Sequence, residues 1–230
     1  SMAEEQLESV VGELLGSQGL TLAVAESCTG GLLGHRLTNV PGSSDYFLGG
    51  VVAYSYDAKE RVLGVRHNTL YDHGAVSEKT ALEMARSARR LFATDLALSV
   101  TGIAGPDGGM PGKPVGLVYV ALSTRDQEVC HRFVWESDRE GNKAYSAQAA
   151  LEILLTYLRE RGWTMDNTWF GDEEVAVEAQ FLADGEIRPT AFTWRGSRRG
   201  IAGLGRQWDE SDGRHVLVEA TDGSRFELCL

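Results

Sequence analysis

The chain is 230 residues long, 43% hydrophobic and 24% charged, with a formal net charge of −11. That length can bury a substantial core as one large or two small domains, and the acidic balance, −5 over residues 1–162 and −6 over 163–230, argues against a nucleic-acid partner. Three distant cysteines (Cys28, Cys130, Cys229), scattered histidines and no apolar run of membrane length predict a soluble cytoplasmic protein without disulfide framework, zinc site, cofactor or membrane partner.

Residues 3–17 read as an amphipathic helix, with Leu7, Val10, Val11, Leu14 and Leu15 on one stripe. A strand follows at 20–25, then a helix over Thr29–Leu37, a break at Pro41-Gly42, a strand at 49–55 and a helical turn over Ala58–Leu63. Ser77 is placed to cap a long helix over Glu78–Leu91. Strands are expected near 95–101, 115–123 and 128–134, the last two as an antiparallel hairpin, and a last long helix over Asp138–Arg161. This alternation predicts an α/β fold, a layered α/β/α sandwich with a mixed sheet, over residues 2–162.

After Arg161 the pattern changes. Residues 163–174 read as a linker, and 175–230 as a small all-β domain of unknown role, with turns at Asp184-Gly185 and Asp222-Gly223. Trp194, Trp208, Arg195, Arg198 and Arg199 are either a recognition surface or a packed aromatic core with solvated arginines.

Two junctions carry the chemistry. Ala25-Glu26-Ser27-Cys28-Thr29-Gly30-Gly31 stands where a strand stops and a helix begins, so free N–H groups and the helix dipole favour an anion there. Ser27, Thr29, Gly30 and Gly31 are binding candidates, against the plainer reading of a tight turn with an N-cap. The second junction is Thr101-Gly102-Ile103-Ala104-Gly105, whose N–H groups would serve a phosphate or an oxyanion. It is not a P-loop, because Pro114 follows Gly112-Lys113, and no GxSxG occurs.

Six segments in order, AESCTGG (25–31), PGSSDYFLGGVVAYS (41–55), DAKERVLGV (57–65), HGAVSE (73–78), SVTGIAGPDGG (99–109) and KPVGLVYVAL (113–122), make residues 3–161 resemble the CinA C-terminal domain family. That family includes nicotinamide-nucleotide amidases (NMN deamidases). The resemblance implies metal-independent hydrolysis of the carboxamide of nicotinamide mononucleotide, a phosphorylated mononucleotide, to nicotinate mononucleotide and ammonia. It also implies a homo-oligomer and, in larger members, an added pyrophosphatase-like domain. By motif position it implies a Ser/Lys arrangement of Ser44 and Lys59 with Tyr54 nearby, and a phosphate or carboxamide contact from Arg139. Lys143 stands where relatives usually carry a further arginine.

Amide hydrolysis needs an activated nucleophile, an acid for the amine and donors for the oxyanion. Ser44 would attack, Lys59 would act as base and then acid, dried by Val51, Val52, Val62 and Leu63, and Tyr54 would relay the proton or hold the lysine. Ser27 is the rival nucleophile; it has no lysine or histidine nearby in sequence. Cys28 reads as a small buried packing residue. The alternative function is a catalytically silent nucleotide-binding or regulatory module built on the same loops.

Overall fold

In the computed structural model the described residues are 6–165, 175–181, 187–194, 196–210 and 213–230. They fall into two compact units that part between Leu158 and Arg159, within the long last helix, which is described with the first unit. Among the described residues no helix is long and apolar enough to cross a membrane.

The first unit runs α1 (Leu7–Ser17), β1 (Leu22–Glu26), α2 (Leu32–Thr38), a 3-10 turn (Ser43–Asp45), β2 (Phe47–Val52), α3 (Tyr56–Arg61), α4 (His67–His73), α5 (Glu78–Leu91), β3 (Leu96–Gly102), β4 (Leu117–Ser123), β5 (Glu128–Val134) and α6 (Arg139–Met165). Its sheet has the order β2-β1-β3-β4-β5. β1 is parallel to both β2 and β3, while β4 and β5 add as the expected antiparallel hairpin. This is the layered α/β/α sandwich with a mixed sheet.

Side-chain size along the strands decides which helices pack on which face. Leu22 and Val24 of β1, Leu96, Leu98 and Val100 of β3, and Val118, Val120 and Leu122 of β4 point to one face. There they meet Val11 and Leu15 of α1, Leu33 and Leu37 of α2, and Ala147, Leu151, Leu154 and Leu158 of α6. The alternate positions Ala23, Ala25, Ala97 and Ala121 are small and face Ala81, Met84, Ala85 and Ala88 of α5. Alternation of period two thus turns the bulky residues one way and lets α5 approach closely on the other. Ser99 is held in that tight layer by donating to the Ala81 carbonyl at 2.6 Å.

The chain leaves β1 for β2 on one side and returns to β3 on the other. The two parallel neighbours of β1 therefore diverge at its carboxyl end, where ligands bind in open α/β sheets. Both Gly-rich junctions lie at this edge.

The second unit is an antiparallel meander, β6 (Ala176–Phe181), β7 (Ile187–Trp194), β8 (Ser197–Glu210), β9 (Gly213–Ala220) and β10 (Arg225–Cys229), in the order β10-β9-β8-β7-β6. Phe192, Val216, Val218, Ala220 and Leu228 form its core. The Asp222-Gly223 turn joins β9 and β10 as expected, with Arg225 opposite Glu219. Trp194 packs edge-on against Phe226, and Arg199 lies over both rings. Arg198 and Arg199 also pair with Glu178 and Asp222. Arg195, the Asp184-Gly185 turn and linker residues 166–174 lie outside the described residues.

Candidate active site

Lys59 is the largest fully buried side chain of the first unit, 1% exposed. Its helix α3 starts at Ser55, whose Oγ accepts from the Ala58 N–H at 3.0 Å. From the next turn the Lys59 side chain runs inward beneath the carboxyl edge. Its Nζ donates to Ser27 Oγ and to the Ala53 carbonyl, both at 2.8 Å. Burial lowers the lysine to about 8, against a smaller opposing pull from Cys28. The residues expected to dry it do so only in part. Leu63 is buried, but Val52 and Val62 stand about half exposed, so burial comes from α3 folding onto the ends of β1 and β2.

Ser27 directly follows β1. Its own N–H donates to Val100 O at 2.9 Å, which fixes it beside the end of β3, and it is 7% exposed. The contact between Ser27 and Lys59 is therefore set by backbone on both sides.

Ser44 does not join this pair. It lies exposed in the turn that enters β2, at the amino edge of the sheet. Leu22 pairs with Phe47 there, while Glu26 pairs with Val52 at the opposite edge. Four strand steps, on the order of 13 Å at a rise of about 3.3 Å per residue, separate the two edges. The expected Ser44–Lys59 bond is thus not formed; parallel pairing of β1 with β2 brings Ser27 to the lysine instead. Tyr54 also differs from expectation. It is 58% exposed, and its hydroxyl accepts from Arg139 Nη2 at 2.7 Å rather than meeting Lys59.

The first junction holds an anion of its own. Glu26, almost wholly buried, accepts the N–H groups of Leu33 at 2.9 Å and Gly34 at 3.0 Å. This carboxylate occupies the start of α2, so the anion expected on those N–H groups is supplied by the chain itself. The turn above remains open to a ligand. Gly30 and Gly31 adopt φ of +63° and +100°, which side chains disfavour. Thr29 is buried with its Oγ1 unpartnered. The Lys143 ammonium of α6 stands 3.9 Å from where a Cβ on Gly30 would be. The turn thus holds one buried hydroxyl without a partner and, against Gly30, one ammonium group. The Cys28 thiol within this turn is buried, and burial pushes it up to about 12, so it stays neutral.

In the second junction Thr101 Oγ1 donates to Ala75 O at 2.7 Å, and the Ile103 N–H donates to Leu117 O at 2.8 Å. Both are committed to the fold and free of the ligand role expected for them. Ile103 O accepts from Gly116 N on the β4 side. Because C=O and N–H oppose one another across a trans peptide, the Ala104 N–H points the other way, towards β1 and Ser27. By the two-residue alternation of the strand, Gly102 faces that side as well. Gly105 offers its carbonyl to Arg139 Nη1 at 2.6 Å. Arg139 thus ties the loops after β2 and β3 together, with both terminal nitrogens engaged.

A separate groove of about 300 Å³ lies against α4 and α5, lined by Arg66, Asp72, His73, Lys79, Glu83 and Arg86 among others. Arg66 pairs with Glu83, Arg86 with Glu128, and Lys79 Nζ with His73 Nε2. Its cations are already satisfied, and the dyad is not part of its lining.

The structure thus places a buried Ser27–Lys59 pair at the switch point of a mixed α/β sheet, next to the two Gly-rich junctions. Residues 4–158 match the CinA C-terminal domain family, and the chain belongs to it. A Moorella thermoacetica protein named for competence-damage inducibility is 53% identical over 156 residues, 68% of this chain and 38% of that protein. A CinA-like protein of Thermotoga maritima is 48% identical over 158 residues, again 38% of its length. The chain thus matches well under half of these longer proteins. The crystal structure of competence damage-inducible protein A from Klebsiella pneumoniae superposes with a TM-score of 0.65 at 38% identity, covering 66% of this chain and 95% of that one. CihA of Agrobacterium tumefaciens gives 0.64 at 38% identity, covering 69% and 99%.

Proposed function

We propose that the chain is a cytoplasmic amidohydrolase that converts nicotinamide mononucleotide to nicotinate mononucleotide and ammonia, with Ser27 as nucleophile and Lys59 as base. The observation that carries this reading is the 2.8 Å bond between Lys59 Nζ and Ser27 Oγ beneath the surface. A lysine brought down to about 8 holds a usable neutral fraction near pH 7. The neutral amine keeps its bond to Ala53 O and turns its lone pair to the serine hydroxyl.

Ser27 Oγ attacks the carboxamide carbon as Lys59 takes its proton. The N–H groups of Gly102, Ala104 and Gly105 receive the oxyanion. The Lys59 ammonium then protonates the amide nitrogen, the C–N bond breaks, and ammonia leaves behind an ester on Ser27. A water molecule attacks that ester with Lys59 again as base, and collapse of the second oxyanion returns the proton to Ser27. Lys143, against the Gly30-Gly31 turn, binds the phosphate of the substrate in this scheme.

Ammonia release from the mononucleotide by the purified protein tests the reading. Wild type is expected to turn over, and Ser27→Ala and Lys59→Ala to lose about 1,000-fold or more in kcat. Absence of turnover by folded wild type would favour the catalytically silent module.

A further inference from the structure

Asn142 is buried in the first turns of α6, 1% exposed, and every polar atom of its side chain is used. Its Oδ1 accepts from the Ser137 N–H at 3.1 Å, which fixes the amide at the helix start. Its Nδ2 donates to the Ala104 carbonyl at 3.0 Å. One turn earlier Arg139 takes the next carbonyl, that of Gly105. Two side chains of one helix thus grip two consecutive carbonyls of the loop after β3.

The consequence follows from peptide geometry. The Ala104 carbonyl and the Gly105 N–H belong to one peptide plane and point in opposite directions. α6 covers the face of the sheet built from the bulky strand residues, whereas Ala58 and Leu63, on either side of Lys59 in sequence, pack with α5 on the other face. With its carbonyl held by Asn142, the plane turns the Gly105 N–H away from α6, towards the side that carries Lys59. Rotation of this plane would swap a hydrogen-bond donor for a carbonyl oxygen facing a developing negative charge.

We propose that Asn142 is a positioning residue for the oxyanion donors: it locks the Ala104–Gly105 peptide so that its N–H faces the reacting centre. The inference rests on the amidohydrolase reading and touches the substrate only through the backbone. The informative variant is Asn142→Asp, which keeps the shape and the acceptor for Ser137 N–H but sets a carboxylate oxygen against the Ala104 carbonyl. Asn142→Ser, smaller and uncharged, is measured alongside, so that at least one folded variant is read.

Two readouts are needed, steady-state turnover of the mononucleotide and the rate at which a fluorophosphonate labels Ser27, which calls on the same oxyanion donors without the substrate. With thermal unfolding close to wild type, kcat and labelling rate are expected to fall about 10–100-fold while KM stays within about threefold. The Asp variant should also recover relative to wild type as pH falls and its carboxyl regains a proton to donate; a packing defect would not. A folded variant with wild-type rates, or one in which KM alone rises, overturns the inference and leaves the dyad standing. A wild type that neither turns over nor is labelled at Ser27 sinks the amidohydrolase reading and this inference with it.

Discussion

Arg139 donates to the Tyr54 hydroxyl at 2.7 Å, joining the first turn of α6 to the loop that follows β2. The phenol accepts from a guanidinium, and Lys59 donates to Ser27 and Ala53 instead. Tyr54→Phe is therefore expected to lower kcat/KM less than about tenfold, the cost of one charge-assisted bond in a half-exposed setting. A proton relay through Tyr54 would show instead as a loss of 100-fold or more (roughly the low end for acid–base participation) in kcat. Steady-state kinetics of the variant separate the two.

Burial of Lys59 sets both a pH profile and a stability cost. Its folded value of about 8 lies below the ordinary 10.5, so between those limits the unfolded chain holds the extra proton. Stability must then rise as pH climbs from about 8 to 10.5, and below 8 the buried charge costs on the order of 3 kcal/mol. Lys59→Met, which fills the same space without the charge, is expected to raise the melting temperature at pH 7 and to flatten that rise, although it leaves Ala53 O without its donor. Wild-type kcat/KM should increase with pH with an apparent midpoint near 8. Thermal unfolding and rate profiles over pH 6–10 (roughly the span between the His and Lys ranges) test both.

Glu26 holds the start of α2 by taking two of its N–H groups within the core. Replacement by Gln keeps one acceptor, and replacement by Ala leaves Leu33 and Gly34 unserved. Expected losses are about 1 and 2–3 kcal/mol, read from urea unfolding midpoints. Activity should fall with stability in this series, because Ser27 is the next residue.

In the proposed reaction the Lys143 ammonium, which lies against Gly30, binds the substrate phosphate. Lys143→Ala should raise KM for the mononucleotide about 10–100-fold with kcat little changed, the effect of removing one charged hydrogen bond. The unphosphorylated nucleoside should show no such change. Equal losses for both substrates would assign Lys143 to the structure of the turn.

Much of this was legible in the sequence. Leu-Ala-Val-Ala over 22–25 reads at once as a strand with one bulky and one small face, and the two faces sort the helices. Glu78–Leu91 ends where its cap and stripe say it should. α4 has no clear signature in the sequence, because His67–His73 has little apolar periodicity and buries only Thr69 and Leu70. The site is legible only in part: Lys59 lies fifteen positions from Ser44 in sequence, yet the fold seats it against Ser27, thirty-two positions away. Proximity along the chain misleads in a parallel pair, since the loop entering β2 lies at the edge opposite the one leaving β1. Lys143 is marked only by family position and Asn142 by nothing local; the packing of α6 over the two loops is what brings them to the site.

Rapid-quench peptide mapping during turnover of the mononucleotide tests the central claim most directly. A nicotinoyl-ester adduct on the peptide that contains Ser27, absent in Ser27→Ala and retained in Ser44→Ala, is the predicted result. An adduct on Ser44, or full turnover by Ser27→Ala, would contradict it.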